Sequence, residues 1–329
     1  MADLPARGHD EAMRKALLRA DPLLSRYDPL ERLLMHCDFD AGIHGWQTYF
    51  PDYDGSSDYA GRDPHFQPLD EMLAQSRTDP SMRADRRAPT GPRGVPMLST
   101  LTSWDVGASG SFRGTYALKI PTAPLAGTHS WALRRVTAPW RGKVRFECYF
   151  TYKAEPSDFR LGELDVRSVF ISVDAMDLGN VRGAAQAPVR WWPSVRYHNA
   201  QDGKLIQRWQ ANFSGSKGTK DGPFTDLEDG YQELGFNRSP TKYQWHYLRF
   251  TFDTARHEYV DLHCHGKEFD IAGRRHVFDP PLSGFRASTD RCAGLLNFGI
   301  GIETNSDKRC FLYLDSIVVS MEPERRTQG

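Results

Sequence analysis

The stretch KVRFECYFTYK, residues 143–153, shows the pattern that decides the fold of this chain. Every second position is apolar, and these positions are Phe146, Cys148, Phe150 and Tyr152. The positions between them are mostly polar, and these are Arg145, Glu147, Tyr149 and Thr151. Successive side chains of a strand point to opposite faces, so the alternation predicts a strand with one face in a core.

Similar runs make up most of the chain after residue 113, and turns containing Gly, Pro or Asp separate several of them, for example PWRGK and AQDGK. The runs are GTYALKI, SWALRRV, LDVRSVFISVD, SVRYHNA, LIQRWQANF, QWHYLRFTFD, EYVDLHCHG, GLLNFGIGIET and FLYLDSIVVSM. About ten aromatic-rich strands without helices between them predict an all-β fold, an antiparallel β-sandwich or jelly roll.

The first 36 residues have a different texture and are predicted to form a short helical extension. DEAMRKALLRAD and DPLERLLMHC each begin with an Asp in the N-cap position. The sandwich is expected to span residues 37–322, followed by a tail at 323–329. Residues 50–98 are rich in Pro, Gly, Asp and Arg. We interpret them as an irregular arm that acts as a lid, as a contact to a second copy or a partner enzyme, or as a mobile loop.

Composition excludes several classes of protein. Lys plus Arg and Asp plus Glu are 42 each, so no global field favours nucleic acid. No run of apolar residues is long enough to span a membrane. The beginning of the sequence lacks the apolar segment of a signal peptide, and five cysteines without paired spacing suit a reduced environment. We therefore expect a cytoplasmic protein whose cysteines serve mainly as small core residues.

The polar strand faces carry side chains suited to saccharides. The candidate ligand-binding residues are Trp131, Arg134, Arg145, Tyr149, Arg196, His198, Trp209 and Asn297. Sugar CH groups stack on aromatic rings, and vicinal hydroxyls hydrogen-bond to guanidinium, amide and carboxylate groups. Gly299 and Gly301, on the polar face of GLLNFGIGIET, leave room for a close approach to the backbone. The alternative is a set of ordinary cross-strand pairs on a solvated sheet.

Four carboxylates are candidates for acid–base chemistry in such a groove, namely Glu147, Glu163, Glu303 and Asp174. A glycoside hydrolase needs two of them at a defined separation. In GELDVRSVFISVDAMD, residues 162–177, Glu163 and Val173 are an even number of residues apart, so in a regular strand both would point to the same face. Val173 belongs to an apolar stripe on that face. A regular strand cannot hold both on one face, so we expect a bulge or bend near Arg167.

GELDVRS also resembles the strand motif of laminarinase-like glycoside hydrolases, in which two Glu flank an Asp. The resemblance implies Glu163 as nucleophile and Asp165 as the intervening residue. Arg167 stands at the position of the acid/base Glu, and arginine cannot donate a proton at neutral pH. The motif is therefore incomplete in this chain.

Three segments, CDFDAGIHGW, GSFRGTYALKI and CFLYLDSIVVSM, resemble strands of jelly-roll carbohydrate-binding modules and related concanavalin-like domains. The segment RYHNAQDGKLIQRWQ resembles a bacterial family of the same type to which no activity is assigned. The resemblance implies a concanavalin-like sandwich and a structural calcium, with Asp38 or Asp40 and Asp315 as carboxylate ligands. Without the resemblance, Asp315 would cap or pair locally.

Two further features limit the functional prediction. His263 and His265 share one strand face with Asp261 and are candidates for a transition-metal site, or simply a polar strand end. No nucleotide-binding or nucleophile-elbow motif occurs in the sequence. The sequence therefore predicts a protein that recognises an oligosaccharide or small glycoside. We expect the protein to act on this saccharide as a glycoside hydrolase or lyase, or to serve as a non-catalytic subunit of a carbohydrate-active complex.

Overall fold

A computed structural model describes residues 26–49, 97–99, 110–155, 162–177, 189–213, 224–236, 244–275 and 294–324. These residues form two antiparallel sheets that pack face to face, which confirms the predicted β-sandwich. Most of the predicted arm, residues 50–96, lies outside the described residues, and the end of the arm forms a short strand, Met97–Leu98. No helix among the described residues is long and apolar enough to cross a bilayer.

The first sheet, sheet A, has the order β14-β13-β12-β6-β16-β4-β3, with β1 beside the second half of β16. Its strands are β1 (Arg32–Cys37), β3 (Met97–Leu98), β4 (Leu118–Pro121), β6 (Gly142–Ala154), β12 (His246–Asp253), β13 (Glu258–Cys264), β14 (Lys267–Phe269) and β16 (Cys310–Pro323). The long strands β6 and β16 form its centre.

The second sheet, sheet B, has the order β11-β10-β9-β7-β15-β5-β2, with β8 beside the end of β7. Its strands are β2 (Gln47–Tyr49), β5 (His129–Ala138), β7 (Val166–Asp177), β8 (Val189–Trp191), β9 (Ser194–Gln201), β10 (Lys204–Asn212), β11 (Phe224–Tyr231) and β15 (Gly294–Thr304). A 3-10 helix, Gly162–Asp165, precedes β7.

The core lies between the inner faces of the two sheets. The predicted apolar stripe of β6 is buried there, with Phe146, Cys148 and Tyr152 fully inaccessible to solvent. Phe298 of β15 reaches across from sheet B, and its ring centroid lies 5.5 Å from that of Phe146. Phe252 of β12 contacts the same ring at 6.5 Å. These aromatic rings join the two sheets.

Local turn chemistry agrees with the sequence at the β9–β10 hairpin. Asp202 and Gly203 both have positive φ, 51° and 73°. A two-residue Asp-Gly loop of this kind matches the twist of its flanking strands. This connection places β9 directly beside β10, so Arg196 lies opposite Gln210 and His198 opposite Arg208.

The predicted helical extension is wrong in its second half. Arg32–Cys37 forms β1, which pairs with residues 317–321 of β16, so the sandwich begins before residue 37. The run LLM reads equally as part of an apolar helix stripe or of a buried strand. Backbone pairing with β16 decides in favour of the strand. The first predicted helix, residues 10–21, lies outside the described residues.

The cysteines in the described part of the chain are free and lie in the core, as predicted. Cys37, Cys148, Cys264 and Cys310 are free thiols and are buried. Cys292 lies outside the described residues. Burial raises the pKa of Cys310 to about 12, so this thiol stays protonated at neutral pH and behaves as a small apolar side chain.

His246 at the start of β12 makes stability depend on pH. Its Nε2–H donates to the Gly235 carbonyl at 3.0 Å, and burial lowers its pKa to about 4. The ring takes up a proton near pH 6.5 in the unfolded chain but only near pH 4 in the folded protein. The neutral ring therefore stabilises the fold fully above pH 6.5, and this stabilisation is lost as the pH falls through about 4. We expect the free energy of unfolding to drop by on the order of 2 kcal/mol over this window because of His246.

His246→Gln retains a donor for Gly235 and removes the titrating ring. Urea unfolding at pH 7, 5.5 and 4.5 should therefore give a smaller drop for this variant than for the wild type. Equal drops in the two proteins would contradict the assignment to His246.

Candidate functional site

The outer face of sheet B, named here the B face, gathers polar side chains from six neighbouring strands. Cross-strand register aligns them in rows that run across the sheet. The first row holds Glu303, Ser168, His198 and Arg208. The second holds Trp131, Gly301, Phe170, Arg196, Gln210 and Asp226. The third holds Leu133, Gly299, Ser172 and Ser194. The fourth holds Arg135, Asn297 and Asp174.

These side chains point away from sheet A, yet most of them are buried. Glu303 has no exposed surface, and His198 and Arg196 are only 7% and 8% exposed. Ionic and polar groups seldom lie so deep unless they are paired or serve a ligand. The B face is therefore an enclosed polar surface, unlike the solvated sheet of the alternative interpretation.

Glu303 at the end of β15 is held by two groups from the start of β7. Arg167 Nη1 donates to its Oε1 at 3.1 Å, and Ser168 Oγ donates to its Oε2 at 3.1 Å. The β7–β15 register shifts between Glu303 and Thr304, opposite Arg167. The bulge predicted near Arg167 is therefore present, and it turns this guanidinium toward Glu303.

Arg196 on β9 is the centre of a second network. Its Nε donates to Gln210 Oε1 at 2.8 Å, and Gln210 Nε2 donates to Asp226 Oδ1 at 2.6 Å. The guanidinium carbon lies 4.4 Å from the centre of the Phe224 ring, so the group also makes a cation–π contact. Planar groups from three strands are thus fixed in one arrangement.

A third network lies at the other end of the strands. Arg135 Nε donates to Asn297 Oδ1 at 2.8 Å, and Asn297 Nδ2 donates to Asp174 Oδ2 at 3.2 Å. The order Arg–Asn–Asp across β5, β15 and β7 links guanidinium, amide and carboxylate groups in one chain of hydrogen bonds. Such preorganised groups lose little entropy on binding a polar ligand.

Two aromatic rings lie between these networks and explain the glycines of β15. Trp131 and Phe170 approach each other over the strand, with ring centroids 4.2 Å apart. A Cβ on Gly299 would meet the Trp131 ring, and one on Gly301 would overlap the Phe170 ring. The prediction that these glycines leave room for a ligand is therefore wrong, because the chain's own rings fill the space.

The Nε2 of His198 is buried and has no hydrogen-bond partner within the described ranges. Burial lowers its pKa to about 4, and the nearby Arg196 and Arg167 charges add to this shift. The ring is therefore neutral at physiological pH, when it can donate one hydrogen bond and accept another.

The carboxylates described on the B face, Glu303, Asp174 and Asp226, lie too far apart to act as a hydrolytic pair. Asp174 lies opposite Asn297, six positions from Glu303 on β15, so the two are about 20 Å apart at the usual strand rise. Asp226 lies four strands from Glu303, again about 20 Å at the usual strand spacing. Hydrolysis by a carboxylate pair needs a separation of about 5–10 Å.

Glu163 does not belong to a strand face, so the predicted strand motif is wrong at this position. Gly162–Asp165 is a 3-10 helix, and β7 starts only at Val166. The backbone carbonyl of Glu163 accepts a hydrogen bond from Asn199, and Lys308 pairs with Asp165 at 3.1 Å. These contacts fix the entry into β7.

Glu147, Arg145 and Tyr149 lie on the outer face of sheet A, named here the A face, on the opposite side of the molecule from the B face. Glu147 Oε1 accepts from the Tyr247 hydroxyl at 2.5 Å and from the Asp28 amide at 2.8 Å. Arg145 pairs with Asp28, and Tyr149 stacks on Phe112 at 4.0 Å. The structure therefore assigns all three predicted site residues to chain packing.

Glu147→Ala is expected to lower the free energy of unfolding by about 1–3 kcal/mol, because the two part-buried donors Asp28 N–H and Tyr247 O–H lose their acceptor. Urea unfolding measures the effect, with Glu147→Gln as the control that keeps an acceptor oxygen. A loss of less than about 0.5 kcal/mol in Glu147→Ala would contradict this role.

Two other predicted ligand-binding residues face the interior. Trp209 is buried in the core, and its Nε1 donates to Gln232 Oε1 at 2.9 Å. Arg134 points to the inner face of β5, where it lies opposite Phe298 of β15, and its guanidinium contacts Gly45. Neither contributes to the B face, because strand alternation directs both side chains toward sheet A.

The carboxylates suggested for calcium bind backbone amides instead. Asp315 Oδ2 accepts from Phe112 and Arg113 at 2.7 and 2.9 Å. Asp40 Oδ1 accepts from Thr115 at 2.6 Å, and Asp38 Oδ1 accepts from the Asp40 amide at 3.3 Å. Within the described residues no three His, Cys, Asp or Glu are grouped as metal ligands. In the structure these three carboxylates therefore serve as acceptors for backbone amides.

The suggested histidine site is also divided. The His263 ring lies beside Tyr247 on the A face, at 5.5 Å, whereas the His265 ring lies beside the buried His246, at 5.1 Å. His265 has a positive φ of 46° at the start of the turn, so strand alternation ends before it. The two imidazoles therefore have different surroundings.

The structure adds B-face residues that the sequence did not single out. These are Arg135, Ser168, Phe170, Ser172, Ser194, Arg208, Gln210 and Asp226. Each of these residues is next to a core residue on its strand. The positions of the core residues alone could therefore have identified them. The pairing of β9 with β7, which brings Arg196 opposite Phe170, has no such local signal.

The chain is similar in structure to several solved proteins. The match to "Cellulose induced protein, Cip1" covers 88% of this chain and 98% of that protein, at 12% identity and a TM-score of 0.42. For TmCBM61 in complex with beta-1,4-galactotriose the coverage is 72% and 85%, at 10% identity and a TM-score of 0.27. For alginate lyase AlyC3 in complex with dimannuronate it is 64% and 76%, at 9% identity and a TM-score of 0.32.

Comparison of sequences gives one further finding. No curated protein matches the chain significantly. A family model matches residues 14–323, a span that includes all the strands described above. The chain therefore belongs to the family described as Domain of unknown function (DUF6772).

Proposed function

We propose that the protein binds a saccharide on the B face. The observation that carries this proposal is the enclosed array of guanidinium, amide, carboxylate and hydroxyl groups, linked in three networks around the Trp131–Phe170 ring pair. Sites for small polar ligands combine a few fixed polar groups with aromatic surface, and they exclude water around them.

The chemistry of the networks suits vicinal hydroxyl groups. An alcohol both donates and accepts, so it can bridge Asn297 and Asp174, or Gln210 and Asp226, which offer both kinds of atom. Guanidinium groups such as Arg135 and Arg196 add donors with a fixed planar geometry. The aromatic pair between the networks supplies the apolar surface that the CH groups of a sugar ring require.

We propose recognition rather than hydrolysis as the role of these carboxylates. Their separations of about 20 Å on the B face do not suit a pair that protonates a glycosidic oxygen and activates water. Each is instead held by a guanidinium or amide partner, as expected for groups that orient hydroxyls. Glu303 with Arg167 and Asp174 with Asn297 are examples.

Saturation-transfer NMR with a panel of neutral and acidic mono- and oligosaccharides tests the proposal. We expect transfer to at least one saccharide, and we expect it to be lost on heat unfolding of the protein. The same samples, followed for one day, report any new anomeric or vinylic signals that would indicate turnover. Absence of transfer across the whole panel would overturn the proposal.

A further inference from the structure

The surroundings of His198 indicate which class of saccharide the B face takes, and this inference rests on the proposed function. We propose that the ligand is an acidic saccharide, a uronate, whose carboxylate binds at His198 between the guanidinium groups of Arg167, Arg196 and Arg208. The remaining hydroxyls would then lie toward the Trp131–Phe170 pair.

His198 has an unsatisfied ring nitrogen at this place. The residue is 7% exposed, and its Nε2 lacks a hydrogen-bond partner among the described residues. A buried ring nitrogen without a partner costs free energy, so native proteins usually supply a partner, a water or a ligand. Nε of Arg167 is a second buried donor without a partner in the same part of the chain.

Positive charge surrounds this nitrogen. Arg208 lies directly opposite His198 on β10, and Arg196 is two residues away on the same face of β9. Arg167 lies beside Ser168, which pairs with His198 from β7. The effect of this charge is visible in His198 itself, since Arg196 and Arg167 both add to the lowering of its pKa.

The described carboxylates nearby are already engaged with partners in the chain. Glu303 accepts from Arg167 and Ser168. Asp226 accepts from Gln210 at 2.6 Å and approaches Arg208 only at 3.7 Å. Since Arg208 has only this long contact to a described carboxylate, an anion at His198 would pair with it.

A carboxylate fits this position better than a hydroxyl. It offers two acceptor oxygens in one plane, which match the planar donors of arginine and the imidazole N–H. A hydroxyl would satisfy His198 but would bring no negative charge to the neighbouring guanidinium groups. Among saccharides, uronic acids carry such a carboxylate on the sugar ring.

The test compares oligouronates with their methyl esters, which have the same skeleton without the charge. Calorimetric titration uses tetramers of glucuronate, galacturonate and mannuronate, each as the free acid and as the ester. We expect at least one free acid to bind tenfold or more tightly than its ester. We expect this ratio to fall toward one in Arg208→Gln and Arg167→Gln, and to persist in Lys204→Gln, which removes a charge from an exposed position on the same strand.

Arg208 is 35% exposed, so its replacement should leave the fold intact, and thermal unfolding checks this. Esters that bind as tightly as the acids would overturn the uronate inference and leave saccharide binding standing. Tighter binding of a sulfated oligosaccharide would overturn the choice of carboxylate. An acid preference that survives in both arginine variants would overturn the placement at His198. Failure of every acid, ester and neutral sugar to bind would overturn the proposed function as well.

Discussion

Replacing Phe298 with alanine is expected to lower the free energy of unfolding by about 3–5 kcal/mol. The side chain has no exposed surface and lies where the two sheets meet. Its ring centroid is 5.5 Å from that of Phe146 and 6.5 Å from that of Phe252, both on sheet A. Loss of the ring removes buried apolar surface and leaves a cavity that well-packed β-strands cannot close.

Urea unfolding of Phe298→Ala and Tyr231→Ala measures this effect. Tyr231 is an aromatic residue of β11 that is 53% exposed, and its replacement should change the free energy of unfolding by less than about 0.5 kcal/mol. A small effect at Phe298, comparable with that at Tyr231, would contradict the packing of sheet B on sheet A at this point.

Replacing Arg196 with alanine is expected to weaken saccharide binding by about 30- to 100-fold, since loss of a buried, hydrogen-bonded charge at an interface typically costs 2 kcal/mol or more. Arg196 is 8% exposed and fixes Gln210 through its Nε at 2.8 Å. The substitution removes the donors of the guanidinium and releases the amide that orients Asp226. Calorimetric titration with the tightest-binding saccharide measures the loss.

Arg249→Ala is the matched control, because it removes the same charge from the A face. Arg249 pairs there with Asp261 at 3.0 Å and with Glu268 at 3.2 Å. Its replacement should leave the affinity unchanged. Equal losses of affinity in the two variants, with both proteins folded, would contradict the assignment of the ligand to the B face.

Much of the fold follows from patterns that a single strand carries. The alternation in KVRFECYFTYK correctly identifies Phe146 and Tyr152 as core residues of β6. Strand alternation would place Glu163 and Val173 on one face, and this conflict correctly predicts a bulge near Arg167. The Asp202–Gly203 turn is equally local, since the residue pair that favours positive φ also closes the hairpin.

The candidate site was predictable only in part, because alternation identifies a polar face without saying which sheet the strand joins. Glu147 and Glu303 both occupy polar faces of central strands, yet β6 belongs to sheet A and β15 to sheet B. The sequence therefore placed residues from opposite sides of the molecule in one groove. Glu303, Asp174, Trp131, Arg196, His198 and Asn297 do share the B face.

The remaining errors have the same origin in long-range pairing. Arg32–Cys37 is a strand because β16 offers it a partner almost 300 residues away in sequence. Gly299 and Gly301 make room for rings from the neighbouring strands β5 and β7, which the sequence of β15 does not reveal. Contacts of this kind depend on register between strands, and no local pattern encodes that register.

Hydrogen–deuterium exchange with and without bound saccharide tests the central claim, that the B face is the binding surface. The ligand is the saccharide of the NMR panel that gives the strongest transfer, added at a saturating concentration. We predict slower exchange in peptides from β7, β9 and β15, residues 166–177, 194–201 and 294–304, with no change in β6, β12 and β13. Slower exchange confined to β6, β12 and β13 would contradict the claim and place the ligand on the A face.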